Sequence, residues 1–385
     1  MNIAILPLRK GSKGIPGKNR KYILGRPLFS WCLYEAIKSE LDKVYVFTND
    51  ENIINFVKSQ YSSFQKVHLV ERSSKNAEDK SSTEDAIAEF VRLINDEFDT
   101  LTLLQATSPL ISHKDINKCL KKVRNNDFDS SMTVTSFKRF LWNYDGTPLN
   151  YDPMDRPRRQ DFDGLFAENG ACYTTSRSAY FSSLNRISGK IALVEMSQDS
   201  FIEIDEPNDF DLVESLLESR IKNIGDIRQV KLLCLDVDGV LTDGTVNFNL
   251  RNEHTKNFSL VDGKGLELIR RSGIDVMVIT SEDSDIVRAR LTKLNIRHSY
   301  LGIKDKYAVL DRFLQENQLA WDEVAYVGDD VNDITNIIAA GVSFAPLNAS
   351  LLVKLKSNYL VSKSGGNGAV REVCEVLLKN RVNWK

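Results

Sequence analysis

The segment Lys231 to Gly244, KLLCLDVDGVLTDG, ends an apolar run in two aspartates one residue apart, Asp236 and Asp238. The run Leu232-Leu233-Cys234-Leu235 predicts a strand buried in a parallel sheet. Delivering two carboxylates to the loop after such a strand costs free energy unless a cation or a reaction uses them. Later runs end in polar groups too. Val276 to Thr280 is followed by Ser281, Lys304-Asp305-Lys306 precedes a helical stretch, and Glu323 to Val327 leads into Gly328-Asp329-Asp330, with Asn332 and Asp333 beyond. A carboxylate attacks a phosphate dianion only when a cation and a lysine screen the repulsion. A second carboxyl two residues on can reach the leaving oxygen. The ordered set points to phosphoryl chemistry, whereas a DxD pair alone would also fit a solvated turn.

A second set lies near the start. Asn2 to Leu6 predicts a strand, and the loop after it, PLRKGSKGIPGKN (Pro7 to Asn19), carries three glycines with Arg9, Lys10, Lys13 and Lys18. Glycines let a backbone approach phosphates, and Arg and Lys neutralise them. The loop is neither a Walker A motif nor GxGxxG. In isolation it would equally suit a solvated basic surface; directly after a first strand it suits nucleotide binding.

The elements that must position these groups alternate. Strands are expected at Val44–Thr48, Val67–Val70 and Leu101–Leu104, and helices at Pro27–Glu40, Glu51–Ser59 and Ser81–Asn95. That is the pattern of a parallel sheet covered on both faces, with ligands at the C-terminal strand ends. Phe210–Lys222 is a helical pattern, NIGDIRQ (Asn223–Gln229) a short polar connection, and a fresh α/β pattern starts at Val230. The expected division is therefore 1–222, a linker at 223–229, and 230–385. Thr245–Asn249 and Thr255–Ser259 read as a hairpin.

Across 385 residues the composition is that of a globular chain with 42% hydrophobic residues. The net charge of −2 argues against nucleic-acid or membrane-surface partners. Five scattered cysteines without a CxxC pair suggest buried thiols in a reducing cytoplasm. The first apolar run is too short for a signal peptide, and no later one would span a bilayer, so a cytoplasmic protein is expected.

The N-terminal motifs carry a resemblance. PLRKGSKGIPGKN, SST at Ser81–Thr83, LLQATSPL at Leu103–Leu110, RPRRQDFDGLFAENGACY at Arg156–Tyr173 and FIEIDEPND at Phe201–Asp209 resemble the cytidylyltransferases that activate sialic and related nonulosonic acids. The resemblance covers about the first 215 residues. It implies that the anomeric hydroxyl of a 2-keto acid sugar displaces pyrophosphate from CTP. It places Arg9 near the base, Ser12, Lys13, Lys18 and Asn19 near the triphosphate, with Lys18 catalytic, and Arg72 and Ser82 near cytosine and ribose. Gln105, Glu168, Asn169 and Tyr173 would meet the sugar. Glu203 and Asp205 flank Ile204 on an expected alternating strand, so both carboxylates share one face and suit a Mg²⁺ clamp. The family pattern has Asp where Glu203 stands. An excursion like Lys138–Asp155 helps to form a dimer in that family.

The second half resembles the haloacid dehalogenase phosphatases, and within them the capless group acting on 8- and 9-carbon keto acid sugar phosphates. DVDGVLTDG, the hairpin and SGGNGAVREVCEVLL (Ser364–Leu378) carry this likeness. By it Asp236 is the nucleophile, Asp238 the general acid and then base, and Thr280 a phosphate-oxygen partner. Lys306 balances charge, with Lys304 the competitor, and Asp236, Asp238, Asp329 and Asp330 hold Mg²⁺. In that group the hairpins build a tetramer, and the tail, with Gly365, Gly366 and Gly368, reaches a neighbour's site.

The implied fold class is α/β in two domains: an N-terminal nucleotidyltransferase Rossmann-like mixed sheet with helices on both faces, and a C-terminal haloacid dehalogenase Rossmann-like domain without a cap. The expected function is bifunctional: CTP with an acylneuraminate or ketodeoxynonulosonate gives the CMP-sugar, and the sugar 9-phosphate is hydrolysed. Two alternatives stand beside it. One is a transferase whose second half is an inactive tetramerisation module. The other is the same pair of activities on 3-deoxy-octulosonate or legionaminate.

Overall fold

The computed structural model describes residues 1–12, 14–78, 81–125, 127–248 and 254–380. Two compact units result, Met1–Ile23 with Pro27–Leu216 and Leu24–Arg26 with Leu217–Lys385.

The first unit is built on a seven-stranded mixed sheet. In chain order its strands are β1 (Asn2–Leu8), β2 (Lys43–Thr48), β3 (Val67–Glu71), β4 (Thr100–Leu104), β5 (Ser130–Phe137), β6 (Leu165–Ser176) and β7 (Ile191–Met196). The spatial order is β3-β2-β1-β4-β6-β5-β7. β1, β2, β3 and β4 run parallel, while β6 is antiparallel to both its neighbours. The central parallel strands β1, β2 and β4 are mostly apolar and buried because helices cover both faces, whereas the edge strand β3 is only half-buried. Ile3, Ile5, Phe47, Phe90 and Leu101 form one side of that core. Helices α1 (Leu28–Lys38), α2 (Glu51–Gln60), α3 (Thr83–Leu93) and α4 (His113–Arg124) follow the strands. Ser82 and Ser112 open α3 and α4 in capping boxes with Asp85 and Asp115, satisfying backbone donors that would otherwise lack partners. A short helix α5 (Arg177–Ser183) follows β6, and α6 (Pro207–Ile221) contains the division between the units.

The expected strand at Glu203–Asp205 is not one. The segment's backbone joins no sheet, and the Ile204 N–H donates to the Thr107 carbonyl at 2.9 Å. Ile204 is buried, so the alternation reflects one anchored side chain rather than strand pairing.

The second unit is an all-parallel six-stranded sheet: β8 (Leu232–Leu235), β9 (Asp275–Ile279), β10 (His298–Tyr300), β11 (Val324–Val327), β12 (Val342–Ala345) and β13 (Tyr359–Leu360), in the order β10-β9-β8-β11-β12-β13. Its core joins Leu233, Leu235, Val278 and Val327 to Leu266 and Ile269 of helix α7 (Leu260–Arg271). Helices α8 (Asp285–Lys293), α9 (Lys306–Glu316), α10 (Ile334–Ala339), α11 (Leu351–Lys356) and α12 (Ala369–Lys379) complete it. The expected hairpin is present as a short antiparallel pair, Asn247–Phe248 with His254–Thr255; its turn lies outside the described residues. Among the described residues no helix is long and apolar enough to cross a membrane. All five cysteines are buried and unpaired by disulfides.

Candidate functional sites

In the first unit a cleft of about 370 Å³ opens at the C-terminal ends of β1 and β4. Arg9, Ser12, Lys18, Asn19, Arg72, Ser82, Gln105 and Asp205 all line it. Lys13 lies outside the described residues. Each wall has a local cause. Asn19 pins the loop by donating to the Arg9 carbonyl at 3.3 Å. At Gly14 a Cβ would fall 2.7 Å from the Asp205 carbonyl oxygen, so only glycine lets the loop lie against Asp205. Lys18 donates to the Ile204 carbonyl at 2.6 Å and to Asp205 Oδ1 at 3.1 Å. Ser82 caps α3 at the rim, so the positive end of that helix faces the cleft.

Among the described residues that line the cleft, Arg9, Lys18 and Arg72 are cationic and Asp205 is acidic. Arg72 is buried; its Nη2 donates to the Asn76 carbonyl at 2.6 Å, while its Nε has no acceptor among the described residues. A buried N–H without a partner carries a desolvation cost that the rest of the guanidinium, with its Nη2 bonded to Asn76, must offset.

The remaining sugar-side candidates divide. Glu168 accepts from the Tyr173 hydroxyl at 3.0 Å, and Arg186 lies over the Tyr173 ring at 5.1 Å. Burial raises the Glu203 carboxyl's pKa, the charges of Asp205 and Glu168 raise it further, and Lys18 opposes them. Glu168 and Asp205 thus add negative charge around Glu203 beside Lys18, but among the described residues these three do not gather ligand oxygens within 4.8 Å of one another as the second unit's acids do. Asn169 is different. It is fully buried, and its amide donates to Ser200 Oγ at 3.2 Å and Met196 Sδ at 3.1 Å, so its side chain is spent inside the protein and not on the cleft.

In the second unit the expected groups converge at the ends of β8, β9 and β11. Lys306 Nζ, fully buried, lies 2.8 Å from both Asp236 Oδ2 and Asp333 Oδ1. Lys306, not Lys304, meets Asp236, because the first turn of α9 points its side chain inward while Lys304 is exposed in the preceding loop. Thr280 is buried at the end of β9. Asp236, Asp329 and Asp333 each offer a carboxylate oxygen within 4.8 Å of the others. Burial first, then neighbouring charge, pushes Asp236 up to about 7 and Asp329 up to about 8, with Lys306 opposing in both. A divalent cation would relieve that crowding, so the residues fit Mg²⁺.

Two expected metal carboxylates stand apart from this group. Asp330 is exposed, and its Oδ1 accepts from the Val331 N–H at 2.8 Å as the cap of the following turn. Asp238 is turned aside, its Oδ1 accepting from Lys256 Nζ at 2.7 Å and Thr242 Oγ1 at 3.3 Å. Two residues were missed. Asp333 anchors Lys306, the Tyr326 hydroxyl at 2.7 Å and the Asp329 N–H at 3.0 Å. Its signal was the third acid of GDDVND. Lys256 gave none, since a lysine beside a hairpin reads as surface. The glycine tail packs on its own unit: the Gly366 N–H donates to the Val240 carbonyl at 3.1 Å, and a Cβ on Gly365 would fall 2.0 Å from the Gly239 oxygen.

Comparison with known proteins follows this division. A cytidylyltransferase family profile matches residues 3–231. The chain is 32% identical over 390 residues to N-acylneuraminate cytidylyltransferase B of Danio rerio, covering 97% of this chain and 90% of the relative. The chain belongs to the cytidylyltransferase family. A haloacid dehalogenase-like hydrolase profile matches residues 161–346 of this cytidylyltransferase. It is 37% identical over 155 residues to 3-deoxy-D-manno-octulosonate 8-phosphate phosphatase of Escherichia coli K12, covering 40% of this chain and 82% of that one. A solved structure of the phosphatase of the same name from Moraxella catarrhalis, in complex with magnesium, phosphate and KDO, is 34% identical and covers 44% of this chain and 94% of its own, with a TM-score of 0.40. The protein is a nucleotidyltransferase that also carries a phosphatase of the haloacid dehalogenase type.

Proposed function

We propose that one chain performs two consecutive reactions on one sugar acid: hydrolysis of a nonulosonic acid 9-phosphate in residues 230–385, and transfer of CMP from CTP to the free acid, acylneuraminate or ketodeoxynonulosonate, in residues 1–222, with 223–229 as the link. The observation that carries this reading is the complete, buried Asp236–Lys306–Asp333 constellation with Asp329, in a chain whose first unit has a cationic nucleotide-sized cleft.

In the transferase cleft, Lys18 and Lys13 neutralise the triphosphate, and Arg9 lies near the base. Ser12 and Asn19 orient the triphosphate, Arg72 and Ser82 hold cytosine and ribose, and Gln105, Glu168 and Tyr173 face the sugar. Glu203 and Asp205 would hold Mg²⁺, which supplies charge neutralisation to the departing pyrophosphate. In the phosphatase, the Asp236 carboxylate attacks phosphorus to form an aspartyl-phosphate, Lys306 and Thr280 hold phosphate oxygens, and the Asp238 carboxyl protonates the leaving oxygen, then activates water. Asp236 and Asp329 would hold the Mg²⁺ of that site. The protein works in the cytoplasm as a homotetramer assembled through the second unit, with dimer contacts through the first. Exposed Trp142, Tyr144 and Met154 on the excursion after β5 support the latter.

The named substrate of the phosphatase relatives favours a second reading, 3-deoxy-octulosonate 8-phosphate. One experiment separates the two. Purified protein with Mg²⁺ is given each sugar acid phosphate and, separately, each free acid with CTP. Phosphate and pyrophosphate release should select the same nonulosonic acid. Selection of 3-deoxy-octulosonate in both assays would overturn the substrate, and pyrophosphate release without phosphate release would reduce the second unit to a scaffold.

A further inference from the structure

The short segment between the hairpin and α7 delivers one side chain to the phosphatase site that the reaction above does not use. Lys256 has a fully buried side chain, yet two carboxylates flank its ammonium. It donates to Asp238 Oδ1 at 2.7 Å and also pairs with Glu282, two residues beyond Thr280. A lysine taken wholly out of water is retained only when its charge is met, and here two loops of the same site meet it. Among the described residues, the side-chain contacts of Asp238, from Lys256 and from Thr242, fall on Oδ1.

We infer that Lys256 is a positioning residue that locks the Asp238 carboxyl by its Oδ1, so that Oδ2 carries the proton towards the leaving oxygen. This rests on the reading of Asp238 as the general acid. In that step an Asp236 oxygen forms a bond to phosphorus, the bond from phosphorus to the ester oxygen breaks, and the proton on Asp238 Oδ2 passes to that oxygen. Lys256 gives up no proton; it removes one of the two orientations open to a carboxyl group. Glu282 holds the lysine from the other side, tying the loop after β8 to the loop after β9.

A general acid matters only for poor leaving groups, and this separates positioning from mere structural support. An alkoxide or phenoxide must be protonated as it departs, whereas 4-nitrophenoxide leaves unaided. The experiment measures kcat/KM of the full chain, with Mg²⁺, on 4-nitrophenyl phosphate, phenyl phosphate and an acylneuraminate 9-phosphate. The ratio kcat/KM reports the attack by Asp236 and not the later hydrolysis of the intermediate. For Lys256→Met, the expected loss is about 10²-fold on the phenyl and sugar esters and less than about five-fold on the nitrophenyl ester. Lys256→Arg, which keeps the charge and the donors, should restore part of the difference. Equal losses on all esters, or no loss on any, in both variants would overturn the inference. Asp236→Asn is the separate control: if it keeps activity, the underlying reading of the site falls, whatever Lys256 does.

Discussion

Lys18 is the residue on which the transferase cleft turns. Its ammonium is held against Asp205 by the Ile204 carbonyl and Asp205 itself, and so is aimed before any ligand arrives. Lys18→Met should lower kcat/KM for CMP transfer by about 10²–10³-fold, as loss of a preorganised charge does, and leave phosphate release unchanged. Both assays on one preparation check this. Lys306 has a structural share as well. Removing it leaves the buried Asp236 and Asp333 carboxylates without their counter-charge. Lys306→Ala should abolish phosphate release and destabilise the second unit by about 3–5 kcal/mol, read from denaturant unfolding.

At the scale of elements, two predictions concern how segments are tied. Glu35 of α1 accepts from both the backbone and the ring Nδ1 of His113 at the start of α4, and pairs with Lys38. Burial pushes the Glu35 carboxyl up, but those bonds outweigh it and hold it at about 2, below its ordinary 4.5. A depressed folded-state value gives stability that is full above the ordinary value and is lost as pH falls towards about 2. Glu35→Gln should therefore cost about 1–3 kcal/mol at neutral pH and flatten the acid limb of the stability curve, which unfolding at stepped pH would reveal. The glycine tail is the second tie. A Cβ at Gly365 would strike the Gly239 carbonyl in the loop that carries Asp236 and Asp238. Gly365→Ala should lower Tm and phosphate release together while sparing CMP transfer. The central parallel strands of both units and the helices between them were legible in the sequence because doubly covered parallel strands are mostly apolar, whereas β5, β6 and β7 were not read as strands, although β6 carries Glu168, Asn169 and Tyr173. Glu203-Ile204-Asp205 misled as a strand because one buried isoleucine imitates the alternation of a sheet. Asp333 and Lys256 owe their places to contacts between loops far apart in the chain, which spacing does not record.

At the scale of the molecule, the chain joins a cytidylyltransferase to a haloacid dehalogenase-type phosphatase, and each unit has its own core and its own cluster of charge. Both reactions that we propose need a cation beside carboxylates, and in each unit burial and like charge raise a carboxyl's pKa at the expected place, Glu203 in one and Asp236 with Asp329 in the other. Chelation should therefore stop both activities, and Mg²⁺ should restore both; an activity that survives exhaustive chelation would remove the cation from that unit's account. The central claim is that the second unit is a working phosphatase through Asp236. The direct measurement is phosphate release from a panel of sugar acid phosphates by wild type and Asp236→Asn, with CMP transfer followed in the same samples. The account predicts release from a nonulosonic acid 9-phosphate that falls at least about 10³-fold in the variant while CMP transfer is unchanged. Release that persists in Asp236→Asn, or none from any ester in an otherwise active wild type, would contradict it.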